Sequence, residues 1–236
     1  MKQVLSGWAA VVMALATHQA SAQLYLRGDV GAAFAEPTEF TDVTAAAPNA
    51  ALGPGVKVSG DVGDSVILAG GIGFRWTPAF RTDLTLSYMP SLKFTGHDNL
   101  GLGSTSTADF KPLVGLVNGY VDFNGLVPGG LGRFQPYMGF GVGVSRNHLG
   151  TFNTNVSGTN LAISGASHTA FAWSGTAGLA YKLTDHVLLD FSYRYFDIGE
   201  TRSGTSATAA GVTVPVGAVK ADIDIHAVSL GARFEF

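Results

Sequence analysis

The sequence predicts an all-β fold: an eight-stranded antiparallel up-and-down transmembrane β-barrel over residues 23–236, preceded by a cleaved signal peptide, residues 1–22. Three observations predict it. Short runs alternate apolar and polar residues with a period of two, as a strand requires when successive side chains point to opposite faces. The connections between runs alternate long and short along the chain. Charges within the runs fall on one face and leave the other apolar, which inverts a soluble barrel and suits an outside that meets lipid.

The first residues set the compartment. Met1-Lys2 forms a positive n-region, Val4 to Ala16 an apolar h-region, and Ala20-Ser21-Ala22 a small-residue cleavage site, so cleavage is expected before Gln23. The apolar run is shorter than the ~20 residues of a spanning helix, and no later segment is apolar for that length, so spanning falls to strands. With 46% hydrophobic and 13% charged residues, the chain is neither a disordered tail nor a nucleic-acid binder. Its net charge of −3 names no partner, and the absence of cysteine suits passage through an oxidising compartment.

The first strand, Leu24 to Phe34, sets Leu24, Leu26, Val30 and Phe34 against Tyr25, Arg27 and Asp29. After a polar connection rich in Gly, Ala and Pro, the second runs from Val66 to Trp76 with Val66, Leu68, Ile72, Phe74 and Trp76 outward and Arg75 inward. It turns at Thr77-Pro78-Ala79-Phe80-Arg81. The third sets Leu84, Leu86, Tyr88, Leu92 and Phe94 against Asp83, Thr85, Ser87, Ser91 and Lys93. Pro90 cannot donate to its ladder, so a bulge or bend is expected there. The fourth, Leu113 to Phe123, places Val117, Val121 and Phe123 opposite Asn118, Tyr120 and Asp122; its alternation leaves the register open.

In the fifth strand Pro136, Met138, Phe140, Val142 and Val144 alternate with Gly139, Gly141 and Gly143. No helix or βαβ unit surrounds these glycines, so they read as the inner wall of a narrow barrel and not as a dinucleotide fingerprint. The sixth and seventh strands form a hairpin about Thr184-Asp185-His186. Phe171, Trp173, Ala177, Leu179 and Tyr181 oppose Ser174, Thr176, Gly178 and Lys182; Val187, Leu189, Phe191, Tyr193 and Tyr195 oppose Asp190, Ser192 and Arg194. The closing strand sets Val228, Leu230, Ala232, Phe234 and Phe236 against Ser229, Gly231, Arg233 and Glu235.

The inner face thus collects Arg27, Asp29, Arg75, Asp83, Lys93, Asp122, Lys182, Asp190, Arg194, Arg233 and Glu235, six bases and five acids that can satisfy one another in a cramped polar lumen. Long connections (36–64, 96–108, 149–167, 199–221) alternate with shorter ones (77–81, 124–133, 184–186), as in barrels with long external loops and short periplasmic turns. The long connections and strand tops carry eleven acids against five bases, about −6. Catalysis finds no support. His226 and Ser229, three apart on a strand, point to opposite faces and form no dyad, while His186 lies in a turn and His168 at a loop edge. No His/Cys/Asp cluster has ligand spacing, so neither metal nor cofactor is expected.

The stretches WSGTAGLAYKLTDHVLLDFSYRYFDIG, LYLRGDVGAAF, FQPYMGFGVGV and LGARFEF resemble the small outer-membrane β-barrel family of Gram-negative bacteria, with its opacity-type proteins and OmpA-like membrane domains. The resemblance covers essentially all of 23–236. It implies a place in the cell outer membrane with both mature termini periplasmic, and contact with outer-membrane lipids and lipopolysaccharide. It also implies handling by periplasmic chaperones and by the barrel-assembly machinery, which in that class reads a C-terminal aromatic preceded by alternating apolar residues; Val228, Leu230, Phe234 and Phe236 match. An eight-stranded wall encloses an interior that side chains fill. The expected role is a structural protein whose exposed loops meet a host or surface ligand, adhesin- or antigen-like, and which supports membrane integrity. The alternative is a narrow channel for ions or very small solutes, and the third reading a lipid A-modifying enzyme.

Overall fold

The computed structural model describes residues 23–43, 50–53, 55–101, 103–156 and 158–236; the expected signal peptide lies outside them. In chain order the strands are β1 (Gln23–Ala35), β2 (Thr38–Asp42), β3 (Lys57–Asp61), β4 (Asp64–Thr77), β5 (Phe80–Tyr88), β6 (Leu92–Asp98), β7 (Thr105–Asp122), β8 (Phe134–Leu149), β9 (Phe152–Val156), β10 (Thr159–Ile163), β11 (Ala166–Lys182), β12 (Val187–Arg202), β13 (Ser206–Ala209), β14 (Val212–Pro215) and β15 (Val219–Glu235). Eight of these, β1, β4, β5, β7, β8, β11, β12 and β15, pair antiparallel in that order, and β15 returns to β1 to close the ring. Closure leaves no edge in the wall, the condition for a sheet to cross lipid.

Outward Leu26, Val30, Leu68, Ile72, Leu84, Leu86, Val117, Phe140, Leu189 and Leu230 are exposed. Aromatic side chains border this band: Trp76, Phe80, Phe134, Tyr181, Phe234 and Phe236 at the short-turn end, and Phe34, Tyr88, Phe171, Trp173, Tyr193 and Tyr195 at the other. Strand β5, from Phe80 to Tyr88, covers 9 residues between the two borders, within the roughly 9–11 that a tilted strand needs to span. The short turns are pinned by threonines: Thr77 Oγ1 accepts the N–H groups of Ala79 and Phe80 at 3.2 and 2.9 Å, and Thr184 Oγ1 those of His186 and Val187 at 3.3 and 3.0 Å. Both ends of the ring meet here, with the Phe236 N–H donating to the Leu24 carbonyl at 3.1 Å.

The long connections are not loops of irregular chain. They hold β2, β3, β6, β9, β10, β13 and β14, which continue the wall beyond the membrane: β2 pairs with β15 and β3, β3 with β6, β6 with β7, and β7 with β9, followed by β10, β13 and β14. The cause is visible in the side chains. Phe40, Val58, Leu92, Phe94, Phe110, Leu149, Phe152, Ile163, Val219, Ile223 and Ile225 all bury inward as one apolar core. Above the membrane the outer face meets water, so hydrophobic burial can only be had inside.

The alternation therefore inverts along single strands. In β7 the upper half turns Thr107, Asp109 and Lys111 out and Ala108 and Phe110 in; the lower half turns Val117 and Val121 out and Asn118, Tyr120 and Asp122 in. The fourth-strand register is thus as expected, but the strand starts at Thr105, earlier than Leu113. The third strand is corrected by a change of phase. After Tyr88 the chain leaves the ladder at Pro90 and re-enters as β6 one residue out of phase; such a slip turns every side chain to the other face. Leu92 and Phe94, expected outside, are buried, and Lys93, expected in the lumen, is exposed on the outer wall. Phe123 belongs to a short 3₁₀ turn and not to the strand. Strand β12 bulges at Gly199, whose φ of +65° suits glycine. There β8 reaches across the lumen: Ser145 Oγ and Asn147 Nδ2 donate to the Ile198 carbonyl at 2.5 and 3.0 Å.

Candidate functional site

The lower lumen is a packed network of five arginines and five carboxylates. Strands β4, β5 and β7 converge on Asp122, which accepts Nε of Arg81 at 3.2 and 3.1 Å and Nη1 of Arg75 at 3.2 Å; Arg75 reaches on to Glu235 at 2.6 Å. Asp83 accepts Tyr25 Oη at 3.0 Å and Asn118 Nδ2 at 2.7 Å, and lies 3.5 Å from Arg27 Nη1. Arg27 also forks onto Asp29 at 2.8 and 3.0 Å. Arg194 donates to Thr176 and to Tyr120 Oη at 3.0 and 3.1 Å. Arg233 stands 3.6 Å from Asp190 and 3.5 Å from Glu235, held by charge and not by hydrogen bonds. Burying so many charges is tolerable because all but Arg194 face an opposite charge within 4 Å, and Arg194 is held by two hydroxyls.

Of the residues expected inside, Arg27, Asp29, Arg75, Asp83, Asp122, Asp190, Arg194, Arg233 and Glu235 come together here. Lys182 keeps the inward face but sits at the rim, where its Nζ lies 2.9 Å from Asp185 and holds that carboxyl below its ordinary range. Lys93 is absent from the network. Arg81, expected in the turn, is fully buried at its centre, its guanidinium 3.9 Å from the Tyr120 ring centroid and 4.6 Å from that of Tyr137. The missed signal was its place one residue past Phe80, in phase with Asp83 and Thr85.

The inner glycines make room for these rings. Tyr25 is paired with Gly73, Tyr120 with Gly139 and Tyr137 with Gly178, and a Cβ at any of the three glycines would clash with the facing tyrosine ring at under 3.0 Å. Above the network, Phe40, Phe94 and Phe152 meet with centroids 4.7, 5.1 and 5.9 Å apart. Between network and apolar core remains a cavity of about 10 Å³ beside Arg27, Asp29, Arg194 and Phe196, room for about one water. The interior is polar in its lower half only, which corrects the expectation of a polar lumen throughout.

On the outer wall, His226 joins Tyr193 Oη at 2.6 Å through Nδ1 and Glu36 at 2.7 Å through Nε2, while Ser229 faces the lumen toward Ser192 at 3.0 Å. His186 Nδ1 lies 2.9 Å from the Glu235 carbonyl in the turn. Val228, Leu230, Phe234 and Phe236 all point outward on the closing strand. With Lys93 among its bases, the long-connection end carries about −5, one unit less than expected.

A closed eight-stranded ring with an apolar belt, two aromatic borders and a charge-filled lumen defines an integral outer-membrane β-barrel protein. Residues 7–236 match the family described as the outer membrane protein beta-barrel domain, and the chain belongs to it. An uncharacterized protein of Brucella suis is 28% identical over 197 residues, 70% of this chain and 66% of the relative, so the chain spans about two thirds of that relative's length. A putative adhesin of Rickettsia massiliae is 28% identical over 218 residues, 89% of this chain and 87% of the relative. The crystal structure of the outer membrane protein OprG from Pseudomonas aeruginosa aligns with a TM-score of 0.58 at 18% identity, over 93% of this chain and 97% of its own, a likeness of fold.

Proposed function

We propose that this protein is a structural, non-catalytic outer-membrane barrel that presents its long-connection end to the cell exterior, adhesin- or antigen-like, with both mature termini in the periplasm. The observation that carries the reading is the filled interior. A channel for ions needs a continuous wet path, and the Phe40, Phe94 and Phe152 cluster sits across it with an apolar core around it. The likeness to a putative adhesin supports surface contact. His226 and Ser229 lie on opposite faces of the wall, so the two form no nucleophile–base dyad.

In this reading the long-connection end is the contact surface, because the strands there stand clear of the membrane as a second storey with its own core. The barrel-assembly machinery and periplasmic chaperones deliver it, through the outward aromatic pattern that ends at Phe236. Two measurements test the proposal. Purified protein in planar bilayers should give no discrete conductance, and cells expressing it should adhere to host cells more than cells expressing a variant lacking 206–215. Steps of conductance in wild type that vanish in an inward-facing charge variant would favour the channel.

A further inference from the structure

Cations on the outer wall are matched to carboxylates except on one side. Lys57 bonds Glu39 at 2.9 Å, Lys220 bonds Glu200 at 2.9 Å, and Arg202 bonds Glu200 as well. Lys93, Lys111 and Arg146, exposed on the outward faces of β6, β7 and β8, bond no other side chain among the described residues. They are neighbours. Lys111 stands opposite His148 and Leu113 opposite Arg146, which makes Lys111 and Arg146 diagonal partners about 7–8 Å apart, within reach of long side chains. Lys93 stands opposite Asp109, two residues from Lys111. Asp109 is the only carboxylate on the outward faces of β7, β8 and β11 among the described residues.

Their height on the wall is defined. Tyr88 pairs with Leu113, and Arg146 pairs with Thr169, two residues beyond Phe171, so these cations lie immediately on the water side of the upper aromatic border, at the level of lipid headgroups. Across the ring, Glu36 just past the end of β1, Asp197 on β12, and Asp222 and Asp224 on β15 lie at the corresponding height. The rim is therefore cationic on one side and anionic on the other. Arginine forks onto phosphate oxygens and lysine adds a mobile point charge.

We propose that Lys111 and Arg146, flanked by Lys93 and His148, form a site for the phosphate groups of the outer-leaflet glycolipid. The inference rests on the reading that the long-connection end faces the exterior, where that lipid lies. It fixes one side of the barrel against the lipid, while the acidic side repels it.

The test uses the full mature chain folded in phosphatidylcholine nanodiscs and titrated with diphosphorylated lipid A or with the same lipid stripped of phosphate. Wild type should bind the phosphorylated form at least tenfold more tightly. The variant Lys111→Gln/Arg146→Gln should lose that preference, whereas Lys57→Gln/Arg202→Gln, with the same change of net charge, should keep it; a heat-dependent gel shift verifies that each is folded. Equal binding by wild type and Lys111→Gln/Arg146→Gln, or an equal loss in the control, overturns the site. Orientation is read separately in this cysteine-free chain by labelling Thr208→Cys and Thr184→Cys on intact cells. Labelling at Thr184 alone would overturn the orientation, and with it the outer-leaflet source, without touching the nanodisc result.

Discussion

Replacing Arg81 by methionine keeps a side chain of similar length while removing the charge at the centre of the lumen. Three sets of contacts go: the Nε bonds to Asp122 at 3.2 and 3.1 Å, the bond to Tyr25 Oη at 3.2 Å, and the stacking on Tyr120 and Tyr137. Removing one partner of a buried pair costs about 3–5 kcal/mol. Asp122 still faces Arg75 at 3.2 Å, so its charge is not abandoned, and the cost should fall near the lower end, about 3 kcal/mol. Asp122→Asn should cost a similar amount by leaving Arg81 and Arg75 to face each other. The double variant Arg81→Met/Asp122→Asn should cost less than the two together, by more than about 1 kcal/mol, since residues in one network couple. Urea unfolding in lipid vesicles, followed by the gel shift between folded and unfolded bands, measures all three. A cost for Arg81→Met within about 0.5 kcal/mol of wild type, the range of an ordinary surface change, or strict additivity in the double variant, would refute the view that the network holds the barrel together.

Phe191 faces lipid between Leu179 and Leu230, midway between the two aromatic borders, so Phe191→Arg should destabilise by about 2–4 kcal/mol in bilayers, and a spin label there should respond to lipid-soluble but not to water-soluble quencher. Gly139→Val brings a Cβ to under 3.0 Å from Tyr120 ring atoms and should cost about 1–3 kcal/mol by overpacking; combining it with Tyr120→Ala should cost less than the sum of the two single changes, and simple addition would contradict the pairing. At Glu200 burial works to raise the carboxyl pKa, but bonds from Lys220 and Arg202 outweigh it and hold the group below its ordinary range. A depressed folded pKa gives stability that is present at neutral pH and lost as pH falls through it. Protease cleavage within 199–221 should therefore rise on acidification below about pH 4.5, the ordinary range of a glutamate, and Glu200→Gln should flatten that rise.

What the sequence made legible was the part of the wall that touches lipid. From Val187 to Tyr195 the phase never changes, because the same solvent lies outside every turn of the pleat, and Asp190, Ser192 and Arg194 fall inward as expected. The upper storey was hidden for a physical reason: there the outside is water, so Phe110 and Lys111 exchange the roles that Asn118 and Val117 play about 14–19 Å below, given about 3.3 Å per residue and a strand tilted by about 45°. A reading that keeps one phase through Pro90 must put Lys93 inside and Phe94 outside. Arg81 escaped notice because a turn ending at that residue looked as natural as one ending at Ala79, where the ladder resumes. The rim cations escaped because strand pairing, not spacing in the chain, brings Lys111 beside Arg146.

The hairpin of β13 and β14 leaves a bare strand edge at the far end of the molecule. Its two-residue turn, Ala210-Gly211, has positive φ at both positions, 49° and 79°, which makes Ala209 and Val212 a bonded pair and points the backbone groups of Thr213 and Pro215 to the open side. Proline has no N–H, so that edge offers a neighbour a single donor, at Thr213. Many copies can then stand shoulder to shoulder on one cell without their summits knitting into a fibre.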